Sequence, residues 1–189
     1  FFEIFKRRSD PESKVIFEIK DSNGVTCNNT YDILEVGRKY YQELFSDKNL
    51  SPNPELEEQF LECVKCVPIE YLDMLKSPIS MQELYDTVHS FKKGKSPGPD
   101  GLSIEFYCTV FSIIKKDLLQ VMNNFFDTGF IPAKFKVGFM KLIPKREPLD
   151  EIGNYRPINL LNVDLKIYSK ILCSRMKPIL SYVLHESQF

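Results

Sequence analysis

Only two histidines, His89 and His185, occur in the 189 residues, and no two aspartates are adjacent. Hydrolysis by a Ser or Cys nucleophile needs a positioned base, usually His, and neither histidine lies near a strained Gly-x-Ser-x-Gly type of turn. Two-metal phosphoryl chemistry needs clustered carboxylates around ions about 4 Å apart. Asp100, Asp117, Asp127, Asp150 and Asp164 are instead dispersed along the chain. Eight glycines are too few for a collagen-like or Gly/Ser-rich chain. No apolar run approaches the roughly 20 residues that span a bilayer, and Phe1-Phe2-Glu3-Ile4-Phe5-Lys6-Arg7-Arg8 lacks a signal-peptide core. The expectation is a soluble, intracellular protein of nucleus or cytoplasm, without a membrane partner. The first residue is not Met and the last two are Gln188-Phe189, so both ends are expected to be cuts in a longer chain.

Five cysteines, an odd number at irregular spacing, make no disulfide framework and suit a reducing compartment. Cys63 and Cys66 have the spacing of a zinc or redox pair. No second pair follows and both histidines are far away in sequence, so they read as two small side chains on a helix.

What is present is globular: 43% hydrophobic, 13% aromatic and 27% charged residues, enough for one domain or slightly more with a real core. The net charge of −1 conceals a segregation. Residues 1–91 carry 10 bases against 17 acids, a net of −7, whereas 92–177 carry 15 against 8, a net of +7. Between Lys134 and Lys177 there are 10 bases and 4 acids, interleaved with Phe135, Phe139, Tyr155 and Tyr168. Such a segment suits an anionic partner, because Lys and Arg neutralising phosphates supply most nucleic-acid affinity. A solvated basic face fits the charge count equally well.

Along the first part, Val15-Ile16-Phe17-Glu18-Ile19 followed by Asp21-Ser22-Asn23-Gly24 predicts a strand entering a hairpin turn. Asn29-Thr30 can cap a helix bearing Ile33, Gly37, Tyr40, Tyr41 and Leu44. Leu56, Phe60, Leu61 and Val64 give another helical stripe beyond Pro52 and Pro54. Ser80-x-x-Glu83 is a capping box before Leu84, Val88 and Phe91. A long helix through Phe106, Val110, Ile113, Ile114, Leu118, Val121, Met122 and Phe125 is expected to stop at Gly129. These stripes read as core faces.

Lys-Ser-Pro-Gly-Pro-Asp-Gly at 95–101 can be neither helix nor strand: two prolines remove donors and two glycines permit φ > 0. Its amides could approach a phosphate. It is not a P-loop, since Gly94-Lys95-Ser96 matches only the tail of that motif and Pro97 sits where a helix should start. Farther on, Val137–Ile143 and Ile158–Val163 predict two strands of a β-hairpin with Lys141, Lys145 and Arg156 near the strand ends. A last helix follows Asp164, with Leu165, Tyr168, Leu172, Met176 and Ile179 on one side and Lys166, Lys170, Arg175 and Lys177 around the rest. Pro178 is expected to kink or end it. Residue types alone thus give a phosphate-facing or nucleic-acid-facing surface with no catalytic centre.

Several of these segments carry a resemblance. Gly94-Lys95-Ser96-Pro97-Gly98-Pro99-Asp100-Gly101-Leu102, Glu105-Phe106-Tyr107, Leu142-Ile143-Pro144-Lys145 and Tyr155-Arg156-Pro157-Ile158-Asn159-Leu160-Leu161-Asn162 occur in an order and spacing that closely resembles the opening of the reverse transcriptase of LINE-type (non-LTR) retrotransposons. Lys166-Ile167 and Lys170-Ile171-Leu172-x-x-Arg175 extend the likeness. It is strong over about 80–189, and weaker over 15–80, which looks like the linker joining such a polymerase to an upstream endonuclease. Asn159 stands where the family commonly has Ser, and Leu165 where an aromatic is frequent.

The resemblance implies an α+β chain forming part of a right-hand polymerase: the fingers and start of the palm, with a basic β-hairpin packed among amphipathic helices. Residues 1–79 would be an N-terminal linker and 80–189 an incomplete reverse transcriptase domain. The family's catalytic aspartates come later, so no catalytic or metal-binding residue is assigned here, and the Mg²⁺ of the intact enzyme would be held elsewhere. Lys145 and Arg156 are the implied nucleotide-binding residues; Lys95, Ser96, Gly98, Asp100, Lys141 and Asn159 the implied template-binding ones. The implied partners are an RNA template, a DNA primer and a dNTP, with endonuclease, palm and thumb outside this chain. The expected function is a fragment of an RNA-directed DNA polymerase, inactive alone. The alternatives are a domesticated remnant that binds nucleic acid without chemistry, and an interaction domain or pseudogene product.

Overall fold

The computed structural model describes residues 16–46 and 66–184. The chain is α+β, with helices and two small two-stranded sheets, and divides into two units. One comprises residues 1–50 and 138–160, the other 51–137 and 161–189. The stripe at Leu56, Phe60, Leu61 and Val64, together with Val15, Cys63 and His185, lies outside the described residues.

In the first unit, β1 (Ile19–Lys20) pairs antiparallel with β2 (Thr26–Cys27), Ile19 opposite Cys27. The Asp21 carboxylate closes the turn by accepting the N–H groups of Asn23 and Val25 at 2.8 and 2.9 Å, and Gly24 takes φ 78° there. The hairpin predicted from Asp21-Ser22-Asn23-Gly24 forms, with shorter strands than expected. Helix α1 (Thr30–Leu44) starts at Asn29, whose side chain accepts the Asp32 N–H at 2.9 Å. Its Ile33, Gly37 and Tyr41 are buried as the spacing predicts, whereas Leu44 is exposed. The core of this unit is Ile19, Ile33, Tyr41, Ile152 and Tyr155.

The second unit holds α2 (Ile69–Lys76), α3 (Met81–His89), α4 (Ile104–Thr128) and α5 (Val163–Val183). The capping box at α3 is complete: Ser80 Oγ accepts the Glu83 N–H at 3.1 Å and Glu83 Oε2 accepts the Ser80 N–H at 2.9 Å. Leu84 and Val88 are buried, but α3 ends at His89 and Phe91 packs from the segment after it. Asn123 of α4 brackets the residue before this cap, accepting the Ile79 N–H at 2.7 Å and donating to its carbonyl at 3.0 Å.

Helix α4 stops at Gly129 as expected, with the glycine left-handed at φ 65°. Its buried face differs from the predicted stripe. Ile104, Tyr107, Phe111, Leu118, Met122 and Phe125 are buried, while Ile113 is 79% exposed and Phe106 also faces water. Fully burying a large apolar side chain stabilises by roughly 1.5–3 kcal/mol. Six of them outweigh a terminal cap worth about 1 kcal/mol, so packing holds α4 in place. In α5, Pro178 lies inside the helix and does not end it. Arg175, expected among the outward bases, is buried, and Met176, expected on the core side, is exposed. Among the described residues no helix is long and apolar enough to cross a membrane.

Candidate nucleic-acid interface

Strand β3 (Gly138–Pro144) is hydrogen-bonded to β4 (Tyr155–Leu161) in the first unit. The second strand begins three residues earlier than the sequence suggests and stops at Leu161, because Asn162 already serves as the N-cap of α5. Pro157 is tolerated since a two-stranded sheet leaves each strand one free edge. At the closed end, the Lys145 N–H donates to the Asn154 carbonyl at 2.8 Å.

Alternation decides which side chains the hairpin shows to solvent. Met140 and Leu142 pack on the core of this unit, so Lys141, Ile143 and Lys145, one step out of phase, are exposed. Tyr155 is buried in the same core, which puts Arg156 on the outward side as well. Lys141, Lys145 and Arg156 therefore share the outer face. Among the described residues none of their side chains makes a hydrogen bond or ion pair. Asn159 is exposed too, but its phase along β4 is that of Tyr155, opposite to Arg156.

The connection between the strands is built on Asn154, which is 2% exposed. Its Oδ1 accepts from Arg146 Nε at 2.7 Å, and its Nδ2 donates to the Pro148 carbonyl at 2.8 Å. Arg146 is thus the hairpin base engaged in structure. The Tyr155 hydroxyl donates to the Leu149 carbonyl at 2.7 Å. Lys20 anchors the same turn from β1, through its N–H to the Asp150 carbonyl and its ammonium to Asp150 Oδ2, each at 2.7 Å. That hydrogen bond and charge hold the Asp150 carboxyl below its ordinary range. Sequence reasoning missed Asn154 as the organiser of the turn; the available signal was an amide side chain directly after the Gly153 that bounds it.

In the second unit the 95–101 segment is neither helix nor strand, as predicted. Gly101 donates to the Gly98 carbonyl at 3.1 Å, and the Asp100 carboxylate accepts the Leu102 N–H at 3.0 Å. Asn162 Oδ1 accepts the Asp100 N–H at 3.3 Å. Gly98 is buried so tightly that a Cβ there would meet Asn162 N at 2.5 Å and its Cα at 2.6 Å. Upstream, Glu105 accepts the Gly94 N–H at 2.5 Å, the main cause holding its carboxyl below the usual range. Gly98 and Asp100 shape the loop, then, whereas Lys95 and Ser96 are exposed on it. Nearby, burial pushes the Asp164 carboxyl up and the Lys166 ammonium down.

No group of three or more His, Cys, Asp or Glu side chains able to hold a metal ion occurs among the described residues. Cys66 is exposed and free.

No protein-family model matches the chain. Over 188 residues, all of this chain, it is 29% identical to the transposon TX1 uncharacterized 149 kDa protein of Xenopus laevis. It is 31% identical over 106 residues, 54% of the chain, to the retrovirus-related Pol polyprotein from type-1 retrotransposable element R1 of Bradysia coprophila. A third relative, the probable RNA-directed DNA polymerase from transposon X-element of Drosophila melanogaster, is 24% identical over 183 residues, 93% of the chain. The chain is a relative of non-LTR retrotransposon proteins. It spans only 14%, 10% and 19% of those three proteins. The likeness to the transposon TX1 and X-element proteins reaches across both units, so the retrotransposon relationship extends beyond the part of the sequence where the motifs are densest.

Proposed function

We propose that this chain is the fingers portion of a LINE-type RNA-directed DNA polymerase, with the lead-in to its palm, and that it grips the RNA template and the incoming nucleotide. Residues 1–79 form an N-terminal linker region and 80–189 an incomplete reverse transcriptase domain. The observation that carries the reading is the outward set Lys141, Lys145 and Arg156, unpaired among the described residues, on one face of a two-stranded hairpin. Arg156 presents a planar fork suited to two phosphate oxygens, and Lys145 a compact charge that can follow a moving phosphate. In this reading Lys145 and Arg156 meet the nucleotide's phosphates and, with no nucleotide bound, the RNA backbone; Lys141 and Asn159 meet the template, as do Lys95 and Ser96 from the loop that Gly98 and Asp100 shape.

Mg²⁺ supplies charge neutralisation to such a polymerase. The described carboxylates do not gather into a group fit to hold it, so no step is assigned to it on these residues. What this chain contributes is position and positive charge along an RNA backbone, and on its own it extends no primer.

Binding of a single-stranded RNA oligonucleotide, followed by fluorescence anisotropy from 50 to 300 mM salt, tests the reading. Each phosphate contact on a single strand contributes about 0.7 to the slope of log K against log salt. Lys145→Ala with Arg156→Ala is expected to lower that slope by about 1.4 and weaken binding. An unchanged slope and affinity would remove the hairpin from the interface.

A further inference from the structure

A cavity of about 340 Å³ opens in the second unit, lined by Phe91, Lys92, Lys95, Ser96, Lys166 and Lys170 among others. None of its lining residues is an acid. One water needs roughly 10–15 Å³ of such space, so the cavity has room for a phosphate group with its adjoining sugar. Its four lysines come from two places, the segment after α3 and the first turns of α5.

The lysines are held there by the fold. Lys170 donates to the Ser90 carbonyl at 3.1 Å, and its ammonium stands 4.1 Å from the centre of the Phe91 ring. One N–H is used, and two remain for a ligand. Lys166 lies one helical turn before it on the same face of α5, where like charges repel. It is half-buried, and burial pushes its ammonium down against the opposing pull of Asp100. Asp100, whose charge acts on Lys166, also accepts the Leu102 N–H, and Glu105 accepts the Gly94 N–H; neither lines the cavity. Four ammonium groups around one cavity, with Asp100 as the nearby carboxylate acting on Lys166, favour an anion there.

We propose that the cavity bounded by Lys92, Lys95, Lys166 and Lys170 is a phosphate site that seats a backbone phosphate of a single nucleic-acid strand. That the ligand is a strand rests on the polymerase reading above. That it is a phosphate rests on the cavity alone.

Lys166→Gln with Lys170→Gln in the whole chain tests this. Lys170→Gln also removes the Ser90 and Phe91 contacts, so binding is compared at a temperature well below the melting temperature of the variant in phosphate-free buffer, and a loss of binding there is not unfolding. Inorganic pyrophosphate should raise the melting temperature of the wild type and not of the variant. The variant should bind single-stranded RNA at least tenfold more weakly at 100 mM salt, with a slope of log K against log salt smaller by about 0.7 for the one phosphate lost. Wild-type RNA affinity and slope in this variant, with both reduced by Lys145→Ala plus Arg156→Ala, would overturn the cavity and leave the hairpin reading standing. Pyrophosphate binding that depends on Lys166 and Lys170, in a wild type that binds no RNA, would overturn the strand as ligand and the polymerase reading with it. Absence of any pyrophosphate effect on the wild type would overturn the phosphate site itself.

Discussion

Arg175 of α5 grips Glu83 of α3 with two parallel hydrogen bonds, Nε to Oε1 at 2.7 Å and Nη2 to Oε2 at 2.9 Å. The same guanidinium donates to the carbonyls of Ser77 and Pro78, at 2.6 and 3.0 Å, and lies over the Phe126 ring. Glu83 meanwhile completes the capping box with Ser80. One buried arginine thereby fixes the α2–α3 junction to α5, at a residue that is 4% exposed.

Glu83→Gln should cost about 1–3 kcal/mol, since it leaves a buried guanidinium without its charge partner while preserving an acceptor for the Ser80 N–H. Arg175→Lys should be no milder, because a point charge cannot make the fork. Urea denaturation of both variants measures this. A midpoint within error of wild type would show the pair to be energetically idle.

Acid should act through the same pair. The Arg175 hydrogen bond is the largest cause holding the Glu83 carboxyl below its ordinary 4.5, against the opposing effect of burial. A depressed carboxyl contributes stability that is complete above the unfolded value and disappears as pH falls through the folded one. Stability should therefore hold from neutrality to about pH 5 and decline below it. The decline should be shallower in Glu83→Gln, as read from urea midpoints across pH 3–7. Parallel curves would contradict the assignment.

Gly98→Ala should destabilise the loop by about 1–3 kcal/mol, because the new methyl meets the backbone N and Cα of Asn162 as well as its side-chain Oδ1. Adding Asn162→Ala should fail to rescue it, as the N and Cα of residue 162 stay where they are. Thermal melting of the single and double variants checks this. Full rescue would mean that only the side chain of Asn162 limits the space.

Tyr41→Phe should be neutral or stabilising by up to about 1–2 kcal/mol. The ring is buried, and its hydroxyl has no hydrogen-bond partner among the described residues. Burial pushes that phenol up to about 12. Removing an orphaned polar atom removes its desolvation cost. A loss of more than 1 kcal/mol on the same scale would reveal a partner for the hydroxyl.

Local rules made a good part of this fold readable beforehand. The Asp21 turn, the Asn29 cap, the Ser80–Glu83 box and the Gly129 stop each depend on atoms within a few residues, and each forms. The exposed phase of Lys141 and Lys145 likewise needs only the two-residue repeat of a strand. Helix α4 was harder. It is apolar on more than one side, so Phe106 and Ile113 match a 3.6-residue stripe as well as Tyr107 and Phe111 do, and only packing chooses between them. Pro178, expected to kink or end α5, does not end it: it is exposed, and the carbonyl it leaves without a donor belongs to Ser174, also exposed, where water can serve.

The order of residues by itself determined the α+β character, the shaped loop at 95–101, the basic hairpin and the likeness to retrotransposon polymerases, because these follow from short-range sterics, periodicity and motif spacing. Tertiary structure alone decided that Arg175 turns inward to Glu83, that Gly98 lies beneath Asn162, and that Lys92 and Lys95 share a cavity with Lys166 and Lys170. Those pairings join residues separated by 60 positions or more. Their energies depend on burial and on partners brought by the folded chain, quantities that no local pattern encodes.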